Sequence, residues 1–162
     1  MTLSVEVVDD TGLVVDQEAV RRLVRAVFEA EEAAGESAGE VEVAFVEEAA
    51  IAQLNFRYRD AHESTDVLAF DYAPGSDWPK EAGTGGVAGE IVVCPQVVVR
   101  YAGEEHRDPG AQLGWTLIHG ALHLAGYDHE KDQGEMRERE QQLLHQLDAL
   151  VRLVSLELRH RQ

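Results

Sequence analysis

Apolar and polar residues alternate through Leu3 to Asp10 (LSVEVVDD), a period of two that predicts a first strand, closed by the turn Asp10-Thr11-Gly12. The period then lengthens. Val20, Leu23, Val24, Val27 and Phe28 recur at helical spacing and predict an amphipathic helix from Gln17 to Ala34, stopped by Gly35. A second strand, Val41 to Val46, precedes a helix of about Glu47 to Tyr58 that carries Ile51, Leu54 and Phe56. Arg59 to Thr65 reads as a polar loop before a third strand, Asp66 to Tyr72. Ala73 to Val87, with its prolines and glycines, reads as a mobile surface loop. Gly89 to Cys94 is a fourth strand. Pro95 suits the first turn of a helix reaching His106, and Asp108-Pro109 supplies a cap and a first-turn proline for the next one. The stripe Met136, Leu143, Leu144, Leu147, Leu150, Val151, Val154 and Leu158 predicts one long helix from Gln133 to His160.

Four short strands interleaved with about five helices imply one small sheet packed by helices, an α+β or α/β fold. Strand order and direction cannot be read from these patterns. No repeat or linker divides the chain, and 162 residues is the size of one domain, so residues 1–162 are expected to share one core. That size can bury a core without a metal staple, so a bound ion would be available for chemistry.

Composition narrows the function. No apolar run approaches the ~18–20 residues that span a bilayer, and MTLSVEVVDD has neither the basic opening nor the long apolar stretch of a secretory leader. Cys94 is the single cysteine, which excludes an internal disulfide and fits a reducing compartment, so the cytoplasm is the expected location. The formal charge of −17 argues against binding nucleic acid by broad neutralisation of phosphates. A nucleic-acid substrate would need a local cationic site or a partner. The acidic runs Glu29 to Glu32 and Glu47-Glu48 read as solvated helix faces.

Chemistry concentrates in HGALHLAGYDH, residues 119 to 129. His119 and His123 lie four apart, about 40° around a helix, so two imidazoles can reach one ion. Gly126 can take positive φ, end the helix and let the chain bring His129 back as a third ligand. Three neutral imidazoles leave the fourth position of a tetrahedral ion to water, the arrangement of a catalytic zinc site. One divalent ion is therefore expected, with zinc first and nickel, copper or iron open to the same ligands. The spacing matches the metzincin motif HExxHxxGxxH at the three ligands and the glycine, giving a zincin-like site. Gly120 stands where those proteases carry their glutamate base, which argues against peptide hydrolysis by that route. Asp128 is read as an acceptor for a ligand histidine or as a turn cap.

HGALHLAGYDHE also resembles the signature HGxLHLxGYDH of the YbeY family, bacterial endoribonucleases of ribosomal RNA maturation. LNFRYRDAHESTDVLAFDY is similar to the family's LNxxYRxxDxPTDVLSF, agreeing at Leu54, Asn55, Tyr58, Arg59, Thr65, Asp66, Val67, Leu68 and Phe70. GEIVVCPQVV resembles its GDIVIC segment. The departures are His62 for aspartate, Ser64 for proline, Ala69 for serine and Glu90 for aspartate. Losing the proline should loosen the loop after Arg59.

The resemblance implies a small, mostly parallel sheet with a metal cleft at one side, the ion on His119, His123 and His129, and Arg59 as the catalytic arginine of that cleft. A guanidinium there would grip a phosphate through two oxygens; in the bland reading Arg59 pairs with Asp60 or Asp66. The implied substrate is single-stranded ribosomal RNA, in small-subunit 3′-end processing and ribosome quality control. The ribosome or ribosomal proteins are the implied partners, with no membrane and no DNA. Two other functions compete: a zinc-dependent hydrolase of a non-RNA substrate, and a non-catalytic ribosome-associated metal-binding module. His106, His145 and His160 read as solvated, Cys94 as a buried small hydrophobe, and His62 and Trp78 as loop residues.

Overall fold

The computed structural model describes residues 4–11, 14–31, 40–61, 63–71, 87–127 and 132–157. Strands β1 (Ser4–Asp9), β3 (Glu40–Phe45), β4 (Val67–Asp71) and β5 (Val87–Val93) form one sheet in the order β1-β3-β5-β4. β1, β3 and β5 run parallel, with Val5 opposite Val41 and Val43 opposite Ile91, while β4 lies antiparallel along the edge, Leu68 opposite Val92. All four expected strands are present, each shifted by one or two residues at its ends.

Alternation sends side chains to two faces. Val5, Val41, Val43, Phe45, Ile91 and Val93 join the larger core beneath α1 (Gln17–Ala30) and α4 (Pro109–Leu124). Leu68, Phe70, Val92 and Cys94 face the other way, onto Ile51 of α2 (Glu48–Arg59) and Val97 of α3 (Pro95–Glu104). Cys94 is buried, as its reading required.

The chain also contains α5 (Glu135–Gln146), α6 (Asp148–Val151) and a small antiparallel pair, β2 (Val14–Val15) with β6 (Leu156–Glu157). Six helices thus stand among the described residues rather than about five. None is long and apolar enough to cross a membrane.

α4 is central. It packs on α1, α3, α5, β4 and β5, which is why its sequence is apolar nearly all round. Its start is as expected, with Pro109 in the first turn and the Asp108 carboxylate accepting from Ala111 N–H at 3.2 Å.

Two helices depart from the sequence reading by more than a residue or two at their C-terminal ends. α1 ends at Ala30, where the Glu31 N–H bonds Val27 O at 3.0 Å; the proposed stop, Gly35, lies outside the described residues. The single C-terminal helix is broken at Leu147. A straight helix from Gln133 to His160 would extend about 40 Å and carry its last apolar residues beyond the core. Instead the chain folds back along α4. A Cβ on Gly114 would stand 2.9 Å from Val151 Cγ1, and one on Gly110 would stand 2.4 Å from the Val154 carbonyl oxygen. Those glycines make room for the returning segment, and Val151, Val154 and Leu156 become buried.

Candidate functional site

The C-terminal end of α4 follows from its local sequence. Gly126 takes φ +113°, its N–H bonds His123 O at 3.1 Å, and Tyr127 N–H bonds Leu122 O at 3.0 Å. This is a Schellman closure, in which a glycine in the left-handed region satisfies the last carbonyls of the helix. The expected helix stop is therefore present. Asp128 and His129, which follow it, lie outside the described residues, as do His62, Trp78, His160 and residues 72–86.

His119 and His123 come together as their spacing predicts. Their rings are 4.8 Å apart between centroids and inclined at 79°. Zinc holds imidazole nitrogens at about 2.0–2.1 Å, which at a tetrahedral angle allows the centroids of two rings on one ion to stand about 5 Å apart. The observed pair falls inside that reach, so these donors fit a shared cation. Among the described residues no cluster of three metal-ligating side chains is assembled.

His119 is held by two further contacts. Its Nδ1 lies 2.5 Å from Oε1 of Glu140 on α5, and Trp115 stacks on the ring at 5.4 Å and 29°. Glu140 is 4% exposed, and a carboxylate that deep is rarely found without a partner. Sequence reasoning missed it. The available signal was a glutamate inside the apolar stripe of α5, between Met136 and Leu143, both fully buried.

A second carboxylate braces the surroundings. Glu31, at the end of α1, accepts from the Tyr127 hydroxyl at 3.1 Å and pairs with Arg139, the neighbour of Glu140. It belongs to an acidic run expected to be solvated, yet its side chain is only 12% exposed. Burial first, and the adjacent Glu31 next, push the Tyr127 phenol above its ordinary value.

A cleft of about 570 Å³ opens between edge strand β4 and the C-terminal half of α4. Its lining includes Arg59, Asp66, Asp71, His119, His123 and Tyr127. The structure thus brings Arg59 to the same cavity as the two histidines. Asp60 ends α2 in the left-handed region (φ 53°), a conformation aspartate tolerates better than most residues. Buried Asn55 then donates to Glu63 O at 2.8 Å, and the Ser64 hydroxyl bonds Glu48 at 3.3 Å. The segment that lost a proline is held by these side-chain bonds instead.

Asp66 is half-buried in the cleft, and burial pushes its carboxyl above the ordinary value, opposed by backbone hydrogen bonds, His119 and the Thr65 hydroxyl.

Gly120 has a steric reason. A Cβ there would lie 2.8 Å from Ile91 Cγ2 and 3.3 Å from Val67 Cγ2. α4 sits so close to the sheet that any side chain here would push Ile91 aside, which disfavours the metzincin glutamate at this position.

Comparison with known proteins places the sequence and the fold in a family. The sequence profile of the family described as Endoribonuclease YbeY matches residues 6–148. The chain is similar to Endoribonuclease YbeY of Moorella thermoacetica, 38% identical over 130 residues, covering 77% of this chain and 82% of the relative. It is 35% identical over 149 residues to the protein of that name from Chloroflexus aggregans, covering 89% and 95% of the two chains. The solution structure of TM1509 from Thermotoga maritima has a similar fold, with TM-score 0.57 and 28% identity over 93% of this chain and 92% of that one. On the profile match and these relatives, the chain belongs to the YbeY endoribonuclease family.

Proposed function

We propose that this chain is a metal-dependent endoribonuclease that cuts single-stranded RNA in the maturation of small-subunit ribosomal RNA and in ribosome quality control, with one divalent ion, zinc first, on His119, His123 and His129. Family membership supports RNA as the substrate. The observation that carries the metal reading is the pair of converging imidazoles on α4, one of them tied at Nδ1, in the cleft that Arg59 also lines. When bound, the ion supplies a Lewis acid and a water with pKa near 7.

The chain's own residues divide the remaining work. Arg59, in the last turn of α2, offers a planar guanidinium to the scissile phosphate and offsets charge that grows on its oxygens. The Schellman turn at Gly126 redirects the backbone, so that a third imidazole can approach from outside the helix. Gly120 keeps α4 pressed on β5, which fixes the height of both histidines above the sheet. With a net charge of −17, affinity for a long RNA falls to this local site and to ribosomal proteins or the ribosome as partners.

The test compares wild type with zinc, wild type with chelator, and His123→Ala with zinc, on a single-stranded RNA and its duplex. The proposal expects cleavage of the single strand by the zinc-loaded wild type alone. Equal cleavage by His123→Ala, or an intact single strand beside turnover of a peptide or ester, overturns it.

A further inference from the structure

We infer that Glu140 is a positioning residue for the metal centre: it holds His119 in the tautomer that carries hydrogen on Nδ1, so that Nε2 presents its lone pair to the ion. This rests on the reading of His119 as a metal ligand. Three observations carry it. The carboxylate is 4% exposed and 2.5 Å from Nδ1, on a different helix and 21 residues further along the chain. One hydrogen lies between Nδ1 and Oε1 in this contact, and the inference places it on the imidazole, with the carboxylate oxygen as acceptor. Trp115 stacks on the same ring, so one contact fixes an edge and the other a face.

A neutral imidazole has one N–H and one lone pair, and the bond made by one nitrogen decides what the other can do. With Nδ1 as donor, Nε2 is the metal-binding atom, and the carboxylate makes the ring a stronger base toward a cation. Met136 and Leu143, fully buried on either side along α5, set the height from which Glu140 reaches α4. The C-terminal helix thus acts on the centre through His119, without entering the cleft lining.

The test uses the full chain. Zinc affinity is measured by competition with a chromophoric chelator for wild type, Glu140→Ala, Glu140→Gln and His119→Ala. Long-range ¹H–¹⁵N spectra of the metal-free wild type report the His119 tautomer, assigned by comparison with His119→Ala. The inference expects Nδ1–H in the wild type and a loss of affinity of about 10–100-fold in Glu140→Ala. Glu140→Gln, which keeps an acceptor without the charge, should fall between the two. An Nε2–H tautomer in the wild type, or wild-type affinity in Glu140→Ala beside weak binding in His119→Ala, overturns the inference and leaves the metal reading intact. Wild-type affinity in His119→Ala removes the metal reading itself, and this inference with it. Should Glu140→Ala not fold, Glu140→Gln and the wild-type tautomer decide the matter.

Discussion

Replacing Gly120 by alanine adds one carbon where α4 meets the sheet, and the outcome follows from two opposed effects. Alanine in a helix interior is favoured over glycine by about 0.8–1 kcal/mol. Against this, the new Cβ would sit 2.8 Å from Ile91 Cγ2 and 3.3 Å from Val67 Cγ2, whereas carbon pairs prefer about 3.5–4.0 Å. Ile91 is fully buried and cannot swing aside into solvent. Overpacking of this kind costs about 1–3 kcal/mol. The net expectation is a loss near 1 kcal/mol, or roughly 2–4 °C in melting temperature for a chain of this size. Gly103→Ala in α3 is the control, because nothing lies within 4 Å of a Cβ there. It should gain up to about 1 kcal/mol from propensity alone. Thermal melts of both variants measure the difference, which isolates the packing effect. A Gly120→Ala protein as stabilised as Gly103→Ala would refute the tight helix-to-sheet contact, and with it the steric case against a protease-type glutamate.

Two further outcomes are expected. Burial holds the Asp66 carboxyl above its ordinary value, so its contribution to folding is whole below the unfolded value of about 3.9 and is lost as pH rises through the higher folded value. Metal-free Asp66→Asn, which cannot ionise, should therefore melt above wild type at pH 7, with the gap closing toward pH 3.5; a gap that does not vary with pH contradicts this. Arg59→Glu should retain zinc while losing RNA cleavage by about 100-fold or more, the scale of a lost transition-state donor. Full cleavage by that variant removes the phosphate role.

Local signals made much of the site legible. Asp108 and Pro109 opened α4, Gly126 closed it, and the four-residue spacing set His119 beside His123, because each effect acts within one or two helical turns. The order β1-β3-β5-β4 was not legible, since it depends on contacts between distant segments. The same holds for Glu31 and Glu140. Their residue type suggested solvent, and only the meeting of α1, α4 and α5 gives them Arg139, Tyr127 and His119 as partners. The break at Leu147 was hidden because the apolar stripe runs through it unchanged. What ends α5 is the tertiary gain from laying Val151 and Val154 against the glycines of α4.

Elemental analysis of untagged protein, loaded with zinc and then desalted, tests the metal centre most directly. Wild type should carry one divalent ion per chain, and His119→Ala, His123→Ala and His129→Ala should each carry far less while remaining folded. A wild-type chain that retains no ion, or three variants that all retain it, contradicts the account.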